Sequence, residues 1–200
     1  MSTVEVVWAR VDGSAGQADD LLSREITRAI GVNVRIGRLC PSCGSGEHGR
    51  LFVLAPDDLP FFVSLSRSPD IVAVAFTDSG AIGVDVERTD APSFAGFEGV
   101  ALHPDEDAPT IRDRATTWVR KESLLKATGH GLDVDPSTIR VSGPREEPRL
   151  LVWSSAEPRP AYVLMRDLQI VPDHVAAVTL LSEDTPRFRV REAAPEAPAD

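Results

Sequence analysis

The chain has 200 residues, 42% of them hydrophobic, which is enough for one compact domain or two small ones. Its formal net charge of -10 argues against nucleic acid as the main partner, because such binding rests on a basic surface. No apolar run reaches the roughly 18 residues of a membrane span, and the first residues do not resemble a secretory signal. We therefore expect a cytoplasmic protein without a membrane partner.

The first half of the chain predicts one helix among several strands. Residues 4–8 form a strand-like run, and apolar residues with helical spacing predict a helix over residues 18–30, which Gly31 ends. Residues 41–50 predict a loop rich in Cys, Gly and Ser. Three β-type runs follow at residues 61–65, 71–76 and 82–87, separated by turn sequences.

The second half repeats this order after a long connection over residues 89–109. A helix is predicted over residues 110–128, closed by Gly129, and strands at residues 138–141, 150–153, 162–168 and 175–181. We therefore predict an α+β fold of two similar halves, residues 1–95 and 96–184, related by a pseudo-twofold axis. Residues 185–200 are rich in Pro, Ala and charge, which predicts a disordered tail.

Two acidic residues stand at alternate positions near the end of the strand predicted at residues 82–87. Period-two geometry places Asp85 and Glu87 on one face of this strand, and Val84 and Val86 on the other. Adjacent carboxylates repel unless water or a cation neutralises them, and hard oxygen ligands suit Mg²⁺. A solvated face of an edge strand is the alternative, and this segment alone leaves both interpretations open.

A third carboxylate, Glu122, lies in the second predicted helix. At 100° per residue it falls in the middle of an apolar stripe formed by Ile111, Ala115, Trp118 and Leu125. A lone carboxylate there is costly unless it is paired or metal-bound. Lys126, four residues later, borders the stripe; the alternative is a surface Glu–Lys pair worth about 0.3–0.5 kcal/mol. The position within the stripe favours a functional role.

These segments together resemble the 4′-phosphopantetheinyl transferase family. The two matching motifs are Gly-Val-Asp-Val-Glu at residues 83–87 and Trp-Val-Arg-Lys-Glu-Ser-Leu-Leu-Lys at residues 118–126. The loop at residues 40–50 and the sequence Val-Ser-Leu-Ser-Arg-Ser at residues 63–68 are similar to upstream parts of the family, so the resemblance covers about residues 35–131. The length and apparent doubling resemble the double-length class that includes the surfactin synthetase activator.

The resemblance implies that the protein transfers the 4′-phosphopantetheine group of coenzyme A to a serine of an apo carrier protein. Mg²⁺ would be required, 3′,5′-ADP would be released, and the carriers would belong to fatty-acid, polyketide or peptide synthases. We expect a monomer. The implied metal ligands are Asp85, Glu87 and Glu122, and the implied catalytic residues are Glu122 as general base and Lys126 as a phosphate contact.

Further residues are expected to bind coenzyme A or to support the acidic site. The candidates for coenzyme A are Arg24, Arg28, Arg50, Ser66, Arg67 and Lys126. Arg24 and Arg28 lie one turn apart on the first helix, where an exposed helix face is the alternative explanation for each. Glu106, in the connection, is a further candidate for the acidic site.

Two positions depart from the family pattern. Arg67 stands where the family has a histidine, and Gly49-Arg50-Leu51 stands where it has Gly-Lys-Pro. Arginine keeps a phosphate-binding charge at both places. The loss of the histidine nevertheless supports an alternative, a non-catalytic module that binds carrier protein or coenzyme A without turnover.

The spacing of Cys40, Cys43 and His48 resembles the start of a zinc knuckle. The fourth ligand is missing, because Val53 occupies its expected position, so a tight loop with two free thiols is favoured over a metal site.

Carrier docking is expected on a mixed apolar and arginine patch beside the second helix. Arg120 lies about 180° from the centre of the apolar stripe, which predicts that its side chain is displayed on the surface. The candidates for this patch are Arg112, Arg114, Arg120, Phe94, Phe97 and Leu102.

Overall fold

A computed structural model describes residues 2–12, 16–40, 43–47, 49–56 and 59–194. Its helices are α1 (Gln17–Ile30), α2 (Phe97–Ala101) and α3 (Ile111–Thr128). The strands of the first half are β1 (Thr3–Arg10), β2 (Arg35–Leu39), β3 (Arg50–Ala55), β4 (Phe62–Arg67), β5 (Ile71–Thr77) and β6 (Ala81–Arg88). Those of the second half are β7 (Ile139–Val141), β8 (Leu150–Trp153), β9 (Leu164–Leu168), β10 (His174–Leu181) and β11 (Arg187–Glu192).

Two sheets pack face to face around the main core. One has the strand order β11-β1-β5-β4 and the other β6-β10-β9. Alternate residues of each sheet enter the shared core, among them Val4 and Val6 of β1 and Val84 and Val86 of β6. This confirms the prediction that the two valines of β6 share one face, and it leaves the opposite face for Asp85.

Each of the long helices covers the outer face of one sheet. The helix α1 packs with Leu22 and Ile26 on the sheet that contains β5, whereas Ala115 and Val119 of α3 pack on Ala177 of β10. The layers are therefore helix, sheet, sheet, helix. The mixed α and β content is as predicted, and the twofold relation between the halves stays a prediction.

Local sequence signals fix the ends of α3. Thr110 accepts a hydrogen bond from the backbone N–H of Asp113, whose side chain accepts one from the Thr110 backbone, a reciprocal capping box. Gly129 ends the helix with φ of +80°, a conformation that favours glycine. No helix in the described ranges is long and apolar enough to cross a membrane.

Two parts of the fold differ from the prediction. The strands β2 and β3, which were not predicted, pair antiparallel on either side of the segment predicted as a loop. The tail was predicted to be disordered from residue 185, but Arg187–Glu192 form β11, which pairs in parallel with β1. Hydrogen bonding to the free edge of β1 gives this charged segment a regular structure that its composition alone does not favour.

Candidate active site

Asp85 lies at the centre of a polar cluster where β4, β6 and α3 meet. It is only 3% exposed. Its Oδ1 accepts a hydrogen bond from Lys126 Nζ at 2.6 Å and another from Ser66 Oγ at 2.7 Å. Lys126 Nζ also donates to Ser66 Oγ at 3.0 Å. The structure thus brings three of the predicted site residues into direct contact.

The negative charge of Asp85 acts on both Glu122 and Glu87. Burial, followed by the charge of Asp85, raises the pKa of Glu122 to about 7, while Lys126 acts in the opposite direction. The same two causes raise the pKa of Glu87 to about 7, and Glu122 adds to the effect. Mutual influence of this kind requires proximity, so the three predicted carboxylates share one electrostatic environment.

A glycine allows α3 to lie directly on β6. A Cβ atom at Gly83 would stand 2.0 Å from the carbonyl oxygen of Ser123 and 2.5 Å from the backbone nitrogen of Ala127. The hydroxyl groups of Ser123 and Thr179 meet at 2.7 Å in the same interface. Sequence reasoning missed this role of Gly83, although a glycine inside a buried strand is itself a signal of close backbone approach.

Asp85, Glu87 and Glu122 fit a hard divalent cation in ligand type and in charge. Asp85 Oδ2 and Glu122 Oε1 are buried and have no hydrogen-bond partner among the described residues, which is costly for carboxylate oxygens. No three His, Cys, Asp or Glu side chains in the described ranges converge closely enough to hold a metal ion in the arrangement seen. The ammonium group of Lys126 supplies the nearest positive charge, at Asp85 Oδ1.

A cavity of about 430 Å³ opens beside Lys126. Basic side chains and apolar walls share its lining, which includes Arg38, Arg50, Lys126, Ser64, Leu65, Leu125, His130 and Leu132. Such a lining fits an elongated molecule that carries both anionic and apolar groups. Arg50 was predicted as a site residue. Arg38 was not, because the strand β2 that contains it was not recognised.

The two arginines predicted on α1 belong to a different part of the molecule. Arg28 donates to the fully buried Glu25 at 3.0 Å, and the Arg24 Nε lies 3.7 Å from the same carboxylate. Arg191 of β11 donates to Glu25 at 2.6 Å. These contacts fasten the last strand to α1, and neither Arg24 nor Arg28 lines the cavity beside Lys126.

Two other predictions concern Arg67 and the partial zinc motif. Arg67 is exposed at the end of β4, directly after Ser66, and does not line the cavity. Cys40 lines the cavity wall, but His48 lies outside the described residues, so the partial zinc motif stays untested. Cys40 and Cys43 form no disulfide bond within the described ranges.

Arg120 is buried, which corrects the prediction that it is displayed on the surface. Its side chain is fully inaccessible and binds Asp167 of β9 through Nε at 2.9 Å and Nη2 at 2.7 Å. Its Nη1 donates to the carbonyl oxygens of Ser142 and Gly143, each at 2.8 Å. The prediction failed because β9 and the loop after β7 cover the side of α3 that the apolar stripe leaves free.

Lys121 and Glu106 form a second buried contact that involves α3. The ammonium group lies 2.6 Å from Glu106 Oε2 and donates to the carbonyl oxygens of Ala101 and Pro136. The other oxygen of Glu106 accepts from the backbone of Val141 at 2.7 Å. Glu106 therefore fastens the connection at residues 89–109 to α3 and β7. Its oxygens are engaged there and not in the acidic cluster.

The predicted docking patch is only partly on the surface. Phe97 is 3% exposed and packs edge-on against Phe94 and Trp118, so it belongs to the interior. Phe94 is 55% exposed, and Arg114 pairs with Glu98 beside it.

Comparison with known families agrees with the location of this cluster. No curated protein matches the sequence significantly. Residues 81–179 match the model of the 4′-phosphopantetheinyl transferase superfamily. The matched region begins with β6 and contains α3, so it includes Asp85, Glu87, Glu122 and Lys126. The chain therefore contains a 4′-phosphopantetheinyl transferase superfamily domain at residues 81–179.

Proposed function

We propose that this protein transfers the 4′-phosphopantetheine group of coenzyme A to a serine of an apo carrier protein and releases 3′,5′-ADP. The observation that carries the proposal is the cluster of Asp85, Glu87 and Glu122 beside Lys126, inside the region that matches the superfamily. The cavity next to Lys126 supports it, because its basic and apolar lining suits the diphosphate and the pantetheine chain of the donor.

The reaction forms a bond between the serine oxygen of the carrier and the phosphorus that bears pantetheine. The bond from this phosphorus to 3′,5′-ADP breaks, and the serine proton passes to Glu122. In the metal-free protein, burial and the charge of Asp85 raise the pKa of Glu122 to about 7, within the range of general bases that work near neutral pH. Lys126 stabilises the negative charge on the transferring phosphoryl group, and Ser66 and Asp85 hold its ammonium group in position.

Asp85, Glu87 and Glu122 would hold the Mg²⁺ ion. When bound, this ion would polarise the diphosphate of coenzyme A and stabilise the charge of the departing phosphate. The two buried carboxylate oxygens without partners, one on Asp85 and one on Glu122, are the observation that supports this assignment.

The first 80 residues support assignment to the double-length class. They contribute a sheet with its own covering helix, and strand β4 brings Ser66 and the wall residues Ser64 and Leu65 to the site. One chain thus supplies both sides of the cavity, which favours a monomer. The physiological carrier would come from a fatty-acid, polyketide or peptide synthase.

A non-catalytic binding module is the second candidate. The observation that favours it is Arg67, which replaces the family histidine and lies outside the cavity. Such a module would bind coenzyme A without forming product.

The decisive experiment incubates the protein with coenzyme A, Mg²⁺ and apo carriers of all three synthase types, followed by mass spectrometry. We expect a carrier to gain one phosphopantetheine group. Glu122→Gln should abolish this gain, and Glu183→Gln, which changes an exposed carboxylate, should not. No gain with any carrier contradicts the proposed activity, and calorimetric binding of coenzyme A in that case supports the binding module.

A further inference from the structure

His130 lies on the wall of the cavity and has no part in the proposed chemistry. It follows Gly129, the residue that ends α3, and precedes the short turn Gly131–Asp133. Arg50 and Lys126 line the same cavity. The Arg50 guanidinium reaches the end of α3, where its Nη1 lies 2.9 Å from the position of a Cβ on Gly129. Arg50, Lys126 and His130 are thus grouped around one helix terminus.

Trp153 and Glu157 lie beside the imidazole ring of His130. The ring centroids of His130 and Trp153 are 6.3 Å apart. Trp153 Nε1 donates to the carbonyl oxygen of Glu157 at 2.7 Å, which fixes Glu157 beside the histidine. The ring therefore has a defined place on the cavity wall.

Both ring nitrogens of His130 lack a good hydrogen-bond partner among the described residues. Nδ1 is buried and makes no hydrogen bond there. Nε2 has only a contact of 3.5 Å with Glu157 Oε2, and the Glu157 side chain is 52% exposed. Buried polar nitrogens are normally satisfied, and a long contact with a half-exposed carboxylate is weak.

A third hydrogen-bond donor near the end of α3 would favour the binding of an anion there. The last carbonyl groups of a helix carry partial negative charge, which disfavours an anion unless cations or hydrogen-bond donors offset it. Arg50 and Lys126 line the cavity at this end of the helix, and His130 lines the same cavity.

We propose that His130 is a donor-binding residue, and that its Nε2–H donates to a phosphate oxygen of coenzyme A. Glu157 holds the ring in the free protein and competes with the incoming phosphate for it. The inference rests on the proposed function, because that function makes coenzyme A the occupant of the cavity.

The test measures coenzyme A binding by calorimetry and transfer kinetics in the same set of variants. His130→Gln should raise the Kd and the KM for coenzyme A about five- to tenfold and leave kcat nearly unchanged, as expected for lost uniform binding. Glu157→Gln should lower the Kd about two- to fivefold, because the competing carboxylate is removed. A tighter Kd cannot result from a damaged fold.

His103→Gln is the matched control, since His103 also lies near a carboxylate, that of Asp105, but lines a different cavity. The proposal is wrong if His130→Gln changes the Kd no more than this control, or if Glu157→Gln weakens binding. Absence of coenzyme A binding in the unmodified protein contradicts both proposals. Binding that depends on His130 without any transfer contradicts the proposed function alone.

Discussion

Replacement of Gly83 by alanine tests the geometry on which the site depends. The new Cβ would stand 2.0 Å from the Ser123 carbonyl oxygen and 2.5 Å from the Ala127 backbone nitrogen, and both atoms belong to the backbone of α3. A flexible side chain could turn away, but a helix backbone cannot. The helix must therefore retreat from β6 as a body.

The size of this retreat determines the expected effect. Ordinary contact begins at 3.4 Å, so α3 must move by about 1.4 Å at Ser123. Overpacking of this kind costs about 1–3 kcal/mol, and loss of the Ser123–Thr179 hydrogen bond adds about 1 kcal/mol. A loss of about 2–4 kcal/mol in the free energy of unfolding lowers Tm by about 5–15 °C in a chain of this size.

The same displacement of α3 should also reduce catalysis. Lys126 and Glu122 move with the helix while Asp85 stays on β6, and a displacement near 1 Å can cost about 100-fold in rate. Calorimetry and the phosphopantetheine transfer assay measure the two effects separately. Gly99→Ala is the matched control, because its Cβ would meet no atom within 4 Å. Unchanged Tm and rate in Gly83→Ala would refute the reasoning.

The other predictions concern charge. In the folded protein Glu87 and Glu122 have pKa values of about 7, against an ordinary value of 4.5. Between pH 4.5 and pH 7 the folded state therefore binds more protons than the unfolded state. The Tm measured in the presence of a chelator should fall as the pH rises through this range. Glu122→Gln should match the unmodified protein in Tm at pH 4.5 and exceed it at pH 8; equal Tm at both values would contradict the raised pKa. Arg120→Met should cost about 1–3 kcal/mol in chemical denaturation, because the buried carbonyl oxygen of Ser142 loses its donor. Arg112→Met, which loses one bond of an exposed side chain, should cost less than about 1 kcal/mol; equal costs would contradict the buried network. Arg67→His should leave Tm unchanged and raise transfer if the arginine limits activity, and an unchanged rate would show that it does not.

The helix α3 could be predicted because its signals are local. Threonine and aspartate at its start and glycine at its end set its limits, and the structure places it at Ile111–Thr128. The strands β2 and β11 carry weaker signals. Gly37 interrupts the first, where the ring of Phe52 lies over the glycine, and alternate charges disguise the second. The strand β11 depends on pairing with the distant β1, and β2 depends on pairing with β3 across the loop between them. The local pattern encodes neither pairing.

The acidic cluster could also be predicted, because simple periodicities determine which side chains share a face. Alternation put Asp85 opposite the core valines, and the 100° step put Glu122 on the stripe that contains the buried Ala115 and Leu125. The stripe is not buried throughout, because Ile111 is 45% exposed. The same reasoning failed for Arg120, since it assumes that a helix has one buried side. Asp167 and the loop after β7 cover the other side of α3. The location of that loop is a tertiary property, and nothing near Arg120 in sequence announces it.

The placement of positive charge reconciles an acidic protein with the anionic donor that we propose. A body with a net charge of -10 repels a polyanion at long range, but at about 0.1 M salt charges more than about 10 Å apart are largely screened. Many arginines are committed to internal partners, as Arg120 is to Asp167 and Arg28 is to Glu25. Arg50 and Lys126 line the cavity and can act on a bound phosphate at short range, although Lys126 is also paired with Asp85. Grouping several basic side chains in one cavity is how an acidic protein can bind a phosphate ester specifically.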